Sequence, residues 1–530
     1  MRLLLLIFAL TSLASAAKVA LFILEFSNSQ ILFNKRVAQT LAEGGHDVTL
    51  ININPYKGGL RKTIDKDSSI KEFNVDASGN VTQDDMDEMT SHMTFRDFSF
   101  FDAKGREAMS FWGKIMGESC EGTIRNQELV PFLKAEKFDV VFTHAYDYCP
   151  LGIIHMAGIK SWVWLVSGDL RANIGASVGV PYFSSFIPPG VMDSGNRMTF
   201  TQRVKSLIGN TLGFALHPWM IPNPQTALFR KHIRPDFPDL HLDIAPTCPL
   251  VMVNTNELYA QATPTLHKVV NIGGLGMQFK DAKALPEEYE KLLSNTKGLF
   301  IMSFGSVANS TMMPQSWKES LMTAFGKFPD YQFVMRYTGS DIDGIKPKNV
   351  KLTKWIPQAD LLKHKKTVGF ITHGGYNSYQ ETILAGKPMI AIPLFGDQLK
   401  NARTAEQLGL AIVLNKLTLS APDHLVEAIQ KLIDDKQLAA TAEKLSKMAA
   451  KKPIKPEELL NKWTTFLAEF KTIDQLVPES VNLNFIQLYQ LDVLALLGSV
   501  LFIVTYLVYR LTRCVVRCVC CRGAAKQKSE

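Results

Sequence analysis

The sequence reads FITHGGYNSYQE at residues 370–381 and PMIAIPLFGDQ at residues 388–398, and these two blocks carry the strongest structural pattern. Phe-Ile-Thr is typical of the end of a buried strand, and His373-Gly374-Gly375 is typical of a turn before a helix that starts near Ser378. In open parallel α/β sheets, ligands bind at the carboxyl ends of strands, and helix N-termini attract phosphate. The pattern therefore predicts a diphosphate-binding sheet edge.

The polar residues of these blocks match the parts of a sugar nucleotide. Gly374 and Gly375 allow backbone N–H groups to approach a diphosphate closely, and His373 adds a donor that can carry charge. The further candidates are Asn377 and Ser378 as neutral donors at the helix cap, Glu381 as acceptor from ribose hydroxyls, and Asp397 and Gln398 as partners of sugar hydroxyls. Each residue alone fits an ordinary turn, but together they indicate one binding site.

Strand and helix patterns alternate in two series along the chain. Strands are predicted at residues 19–24, 48–53, 138–143 and 161–166, and a second series at 299–303, 332–337, 350–352, 368–372 and 389–393. Helices are predicted at 33–43, 314–325 and 378–385, and residues 181–224 are expected to be irregular. The alternation predicts an α/β fold of two facing Rossmann-like domains, residues 17–280 and 281–485, with the linker near 277–285.

Both ends of the chain carry targeting patterns. Residues 1–16 resemble a signal peptide, with Arg2, an apolar run and Ala14-Ser15-Ala16. Residues 491–509 predict one transmembrane helix, followed by a basic cytoplasmic tail at 510–530. The ending KQKSE resembles a dilysine retrieval signal, so we expect a type I endoplasmic reticulum membrane protein with lumenal domains. Asn80 and Asn309 begin triplets that accept glycans if exposed.

Charge and cysteine content exclude several classes of function. Residues 510–530 carry six basic residues and one acidic residue, so most of the net charge of +8 lies in the tail and no nucleic-acid partner is expected. Four of the seven cysteines lie in the tail, which leaves Cys120, Cys149 and Cys248 in the body, too few for a disulfide scaffold. Asp341-Ile-Asp343 imitates a metal motif but lies between glycines in a predicted turn, so no metal site is expected.

The two blocks, separated by six residues, resemble the signature of the UDP-glycosyltransferases. Trp355-Ile356-Pro357-Gln358 resembles the uridine-binding element of that family, which implies uracil stacking on Trp355, edge recognition by the Ile356 backbone and ribose contact by Gln358. Ser303-Phe-Gly-Ser306 resembles a donor loop with Ser306 near the phosphates. The terminal segments are similar to those of animal UDP-glucuronosyltransferases.

The resemblance implies the glycosyltransferase B fold and an inverting, metal-independent transfer from UDP-glucuronate or UDP-glucose to a small lipophilic acceptor, as in detoxification. It implies no cofactor beyond the UDP-sugar. Whether the protein forms a homo- or hetero-oligomer stays open.

The catalytic positions depart from the family pattern. The family has Ser-His after the first strand and an aspartate after the strand that is FDVVFT here, whereas this chain has Ser29-Gln30 and His144. Gln30 cannot take up a proton. Three interpretations follow: His144 acts as base with Gln30 positioning the acceptor and Asp147 orienting the ring; the acceptors need little base assistance; or the protein is a UDP-sugar-binding pseudoenzyme that partners active relatives.

Overall fold

A computed structural model describes residues 16–58, 69–96, 103–277, 285–305 and 308–526 of the protein. Residues 1–15 of the predicted signal peptide, most of the predicted linker, Ser306 and the last four residues lie outside the described residues. The chain divides into two compact units, Met1–Val477 and Pro478–Glu530. Each unit is described by itself.

The first sheet has seven parallel strands among the described residues, in the order β3-β2-β1-β4-β5-β6-β7. They are β1 (Lys18–Leu24), β2 (Asp47–Asn54), β3 (Lys71–Asp76), β4 (Val140–His144), β5 (Trp162–Val166), β6 (Leu250–Val253) and β7 (Val269–Asn271). The central strands are apolar along almost their whole length, as KVALFIL in β1 and WVWLV in β5 show, because helices cover both faces of the sheet.

The second sheet has six parallel strands, again among the described residues, in the order β10-β9-β8-β11-β12-β13. They are β8 (Gly298–Ser303), β9 (Tyr331–Arg336), β10 (Val350–Thr353), β11 (Thr367–Thr372), β12 (Met389–Ala391) and β13 (Ala411–Val413). The predicted α/β class with two parallel sheets is confirmed.

Helices connect the strands and cover both sheets. In the first series they are α1 (Asn28–Glu43), α2 (Gln83–Phe95), α3 (Ala103–Arg125), α4 (Leu129–Glu136), α5 (Cys149–Ala157), α6 (Ala172–Ser177), α7 (Phe200–Met220) and α8 (Pro222–His232). In the second they are α9 (Glu287–Ser294), α10 (Gln315–Gly326), α11 (Gln358–Lys363), α12 (Tyr376–Leu384), α13 (Gln398–Gln407), α14 (Pro422–Asp434), α15 (Lys436–Ala450) and α16 (Pro456–Phe470). Short 3₁₀ or π turns lie at Leu240–Ile244, Ala245–Thr247, Ser310–Met312, Lys416–Ser420, Asp474–Leu476 and Glu479–Val481.

The strand order of each sheet reverses at one point, between β1 and β4 and between β8 and β11. Crevices at the carboxyl ends of strands beside such a reversal bind ligands in open α/β sheets. Gln30 follows β1 and His144 ends β4, while His373 directly follows β11. The candidate residues of both domains therefore flank the two reversal points.

Two helical segments differ from the sequence-based prediction. Helix α1 begins at Asn28 instead of residue 33, because Ser27 takes the extended N-cap conformation and the chain turns at once after β1. This start places Gln30 in the first helical turn. The stretch at residues 181–224 is also not wholly irregular, since Thr199 and Gln202 form a capping box that starts α7.

Helix α16 returns the chain to the first sheet, although the sequence placed it with the second domain. Leu460 and Leu467 are fully buried in a core that also contains Val37 and Leu41 of α1. The Ser161 hydroxyl, next to β5, donates to the Leu467 carbonyl over 2.8 Å. The heptad spacing of the two leucines gives α16 the apolar face that makes this packing favourable.

The C-terminal unit contains α17 (Phe485–Leu488) and α18 (Leu491–Lys526). Within α18, the candidate span Leu491–Cys518 contains an 18-residue window with a mean hydropathy of 2.3, so the helix is long and apolar enough to cross a membrane. The helix extends beyond the predicted span at 491–509 into the basic tail. The added arginines change the polarity of the helix but are good helix formers, so they do not end it.

Candidate active site

His373 lies between two glycine backbones at the carboxyl end of the second sheet. A Cβ atom on Gly305 would lie 2.6 Å from His373 Nε2, and one on Gly375 would lie 2.4 Å from it, so neither position admits a side chain. The ring also forms a hydrogen bond with the Ser303 backbone. Burial and the nearby Arg336 guanidinium lower the pKa of His373 to about 4, so the ring is neutral near pH 7 unless an anion binds beside it.

Trp355 has an exposed aromatic ring, which Arg336 connects to Gly305 beside His373. Its side chain is 73% exposed, and the Arg336 guanidinium lies 5.8 Å from its ring centroid. Arg336 also donates to the Gly305 carbonyl and, over 3.3 Å, to the Lys354 carbonyl. Arg336 was not predicted from the sequence, because a single arginine at the end of β9 belongs to no motif. Arg336 therefore connects the loop at Gly305 with the ring of Trp355.

Gln358, Ser378 and Glu381 form one polar cluster. Gln358 Nε2 donates to Glu381 Oε2 over 2.7 Å and lies 3.4 Å from Ser378 Oγ. The Gln358 backbone N–H donates to the Ile356 carbonyl over 2.8 Å, and the Ile356 side chain is buried. The tight turn therefore fixes Gln358 opposite α12. The structure thus brings together Gln358 and Glu381, which the sequence assigned to ribose recognition, and Ser378, which it assigned to the helix cap.

Asp397 and Gln398 have different environments. Gln398 Oε1 accepts from the Leu394 and Phe395 N–H groups over 2.9 and 3.1 Å, so it holds the loop after β12 instead of presenting this oxygen to a sugar. Asp397 is exposed, and its Oδ2 accepts from Asn401 Nδ2 over 3.0 Å. Asn401 also donates to the Gly374 carbonyl over 3.0 Å, which links the two signature blocks through a residue outside both.

On the first sheet, His144 is buried at the end of β4 with 3% of its surface exposed. Its Nε2 lies 2.5 Å from Asn34 Oδ1, its Nδ1 has no hydrogen-bond partner among the described residues, and Tyr146 stacks on the ring at 5.0 Å. Burial lowers the pKa of His144 to about 3. The ring is therefore neutral at physiological pH and a weak base.

The two sheet edges meet through contacts between α1 and α12. Asn377 Nδ2 donates to the Ser29 carbonyl over 3.3 Å, and Arg36 forms an ion pair of 3.2 Å with Glu381. Gln30 is the neighbour of Ser29, so the catalytic position of the family pattern adjoins the candidate donor site.

Known proteins that resemble this chain are glycosyltransferases, in agreement with the arrangement of these residues. The family model described as "UDP-glucoronosyl and UDP-glucosyl transferase" covers residues 17–527. The chain belongs to this family of UDP-glycosyltransferases. A similar curated protein is the putative UDP-glucuronosyltransferase ugt-48 of Caenorhabditis elegans, 29% identical over 510 residues, with 93% of this chain and 94% of the relative covered. Human UDP-glucuronosyltransferase 1A3 is 29% identical over 403 residues, with 75% and 72% covered.

Solved structures share the fold at low sequence identity. The glycosyltransferase VinC, in complex with dTDP, has a TM-score of 0.55 and 15% identity, with 85% of this chain and 99% of VinC covered. Os79 of O. sativa, in complex with U2F and trichothecene, has a TM-score of 0.56 and 16% identity, with 85% and 100% covered. The UDP-glycosyltransferase described here thus has the predicted glycosyltransferase B fold, with one apolar C-terminal helix.

Asp147 does not orient His144 in this UDP-glycosyltransferase, contrary to the sequence-based hypothesis. Its Oδ1 accepts from Gln225 Nε2 over 2.8 Å and from the Cys149 N–H over 3.0 Å. Burial raises the pKa of Asp147 to about 6. The physical reason is that the chain turns into α5 after β4, which directs the carboxylate to the N-terminus of that helix. Asn34 takes the place that was expected for Asp147.

Several buried polar atoms without a hydrogen-bond partner lie where the two domains of the UDP-glycosyltransferase meet, and others are spread over the described residues. Among the described residues they include Gln30 Oε1, Asn34 Nδ2, His144 Nδ1, Tyr376 Oη and Asn377 Oδ1. Most buried polar groups in proteins are paired, so such a group of unpaired atoms needs a cause. A polar ligand in the cleft would supply their partners.

The remaining predicted residues lie away from this site or outside the described residues. Ser306 falls outside the described residues. Asn80 and Asn309 are both exposed, and Asn309 Oδ1 accepts from the Thr311 hydroxyl over 2.8 Å. Asp341, the first residue of the imitation metal motif, forms an ion pair of 2.7 Å with Lys318.

Proposed function

We propose that this UDP-glycosyltransferase transfers a hexosyl or glucuronosyl group from a UDP-sugar to a small lipophilic acceptor, with inversion at the anomeric carbon. The observation that supports it is the clustering of His373, Trp355 and the Gln358–Glu381 pair at one edge of the second sheet. Uracil would stack on Trp355, ribose would meet Gln358 and Glu381, and the diphosphate would lie against His373 and the N-terminus of α12. Asp397 would contact the sugar.

The reaction would be a direct displacement. A bond forms between the acceptor atom and the anomeric carbon while the bond from that carbon to the β-phosphate oxygen breaks, and the acceptor proton passes to solvent. UDP leaves with an added negative charge. The helix dipole of α12 and protonation of His373 would stabilise this charge. Burial holds the pKa of His373 at about 4 before the donor binds, and the negative charge of the diphosphate would raise that pKa and favour protonation as UDP leaves.

We further propose that the acceptors are nucleophilic enough to need little base assistance, such as aromatic amines or acidic phenols. Gln30 has no proton affinity near neutral pH, and the pKa of His144 is about 3, far below the value at which a general base works best. The missing base would slow transfer to simple alcohols by a factor of roughly 10²–10⁴.

The lack of a general base at positions 30 and 144 also favours a second candidate, a UDP-sugar-binding pseudoenzyme that pairs with active relatives. It would bind UDP through the same donor site but show no turnover with any acceptor. Turnover therefore separates the two candidates, while UDP binding does not.

We propose that the two sheets lie in the lumen of the endoplasmic reticulum, anchored by α18. The disulfide between Cys120 in α3 and Cys149 at the start of α5 supports an oxidising compartment. The apolar span at Leu491–Cys518 and the basic residues beyond it support the orientation. An anchored site would also lie near acceptors that partition into lipid.

The test is initial-rate turnover of the full-length protein in detergent. UDP-glucuronate and UDP-glucose are each combined with an aromatic amine, an acidic phenol and a simple alcohol. The proposal expects product with at least one donor, and faster transfer to the amine and the phenol than to the alcohol. UDP binding without product from any pair would support the pseudoenzyme instead.

A further inference from the structure

Arg36 of the first domain is a cation that contacts the Gln358–Glu381 cluster. It lies on α1, two turns after Ser29, on the helix face turned towards α12. Its Nη2 lies 3.2 Å from Glu381 Oε1, and only 15% and 12% of the two side chains are exposed. The ion pair is therefore a shielded contact between the two domains.

The two oxygens of Glu381 are held from opposite sides. Arg36 donates to Oε1, and Gln358 Nε2 donates to Oε2 over 2.7 Å. A carboxylate offers about four acceptor positions, so each oxygen can still accept a hydrogen bond from a hydroxyl group. The arrangement fixes the orientation of Glu381 without exhausting its capacity to bind a diol.

The second terminal nitrogen of Arg36 lacks a partner. Nη1 is buried and has no hydrogen bond to any described residue. Burial of an unpaired charged donor is costly, so an oxygen acceptor in the cleft would be stabilised there. The Arg36 stem packs beneath Gly276, where a Cβ atom would lie 3.0 Å from Arg36 Cγ. This contact limits the movement of the guanidinium.

We propose that Arg36 is a nucleotide-binding residue that the first domain contributes to the donor site. Nη1 donates a hydrogen bond to a ribose hydroxyl oxygen of UDP, while Nη2 orients Glu381 to accept hydrogen bonds from the ribose hydroxyls. The ribose thus contacts both domains at once. The inference rests on the proposed UDP-sugar site and adds a recognition element from outside both signature blocks.

The test is calorimetry of the full-length protein in detergent with UDP and with 2′,3′-dideoxy-UDP. Arg36→Gln is expected to weaken UDP binding by about tenfold, because the charge-assisted donor is lost. The ratio of the dissociation constants for 2′,3′-dideoxy-UDP and UDP is also expected to fall by about threefold or more in this variant. An equal loss for both ligands would overturn the ribose assignment.

Arg403→Gln is the matched control. Arg403 forms an ion pair with Asp193 of the first domain through two contacts, of 2.6 and 3.1 Å, and within the described part of the chain it forms no hydrogen bond with a candidate donor residue. This variant is expected to change UDP affinity by less than about twofold. A loss as large as that of Arg36→Gln would show that domain contact in general, and not ribose recognition, controls the affinity, which overturns the inference.

Arg36→Lys is a more conservative second variant, for the case in which Arg36→Gln does not fold. Lysine keeps the charge beside Glu381 but has one nitrogen, so UDP binding should still weaken by about tenfold. Wild-type affinity in Arg36→Lys would overturn the inference. If the wild-type protein does not bind UDP, the proposed function is overturned as well. If the wild-type protein binds UDP and a folded Arg36→Gln variant binds it with equal affinity, only the inference is overturned.

Discussion

Restoring the family's catalytic pair should restore transfer to alcohols. Gln30 and Asn34 are one helical turn apart on the same face of α1, and Asn34 Oδ1 lies 2.5 Å from His144 Nε2. A histidine at position 30 and an aspartate at position 144 would therefore be close neighbours. The double variant Gln30→His with His144→Asp gains a base whose ring a carboxylate can orient.

The expected gain follows from the pKa of the present residue. His144 has a pKa of about 3, so it supplies little driving force for proton removal at pH 7. A positioned general base contributes roughly 10²–10⁴, or about 3–5 kcal/mol of barrier. We expect kcat/KM for a simple alcohol to rise by about 10² in the double variant and by less in Gln30→His alone, because the ring then lacks its partner.

The assay is initial-rate turnover with the donor that the wild-type protein prefers. An aromatic amine acceptor should change by less than about threefold, since its nitrogen attacks without prior proton removal. Gln315→His, at the exposed first residue of α10, is the matched glutamine control and should change neither rate. Unchanged alcohol turnover in the double variant, with UDP affinity retained, would refute the missing-base explanation.

Three further predictions concern the donor site and the buried histidines. Trp355→Ala should weaken UDP binding by roughly tenfold to a hundredfold, because base stacking on an aromatic ring contributes about 1–3 kcal/mol; fluorescence titration measures it. UDP binding should take up protons near pH 6, since the diphosphate raises the pKa of His373 from about 4, and His373→Asn should abolish the uptake seen by calorimetry in two buffers. Because of His144, the free energy of unfolding should fall by about 2 kcal/mol between pH 7 and pH 5. In this range the unfolded ring, with a pKa of 6.5, binds a proton that the folded ring, with a pKa of about 3, does not bind. Denaturant titrations of His144→Gln should show a shallower fall.

The sequence predicted that several donor-site candidates would lie at one sheet edge, because they lie close together in the chain. His373, Ser378 and Glu381 lie within one strand–turn–helix unit, so local pattern alone brings them to one sheet edge. Two residues that reach the site from segments without a recognisable motif escaped prediction. Arg336 ends β9, and Arg36 lies 345 positions before Glu381, so no spacing rule connects them.

The acceptor side was predicted less well for a related reason. The sequence correctly placed His144 at the end of β4, because the FDVVFT strand is unambiguous. It could not foresee that Asp147 pairs with Gln225, 78 positions later, or that Asn34 contacts the ring. Both contacts depend on how α1 and α8 pack against the sheet, which residue periodicity does not specify.

Calorimetric titration of UDP into the full-length protein tests the central claim most directly. One UDP should bind per chain, and uridine without phosphates should bind more weakly, because His373 and the N-terminus of α12 then lack their anion. No heat with UDP, or equal affinity for UDP and uridine, would contradict the assignment of a uridine diphosphate site to the edge formed by β8, β10 and β11.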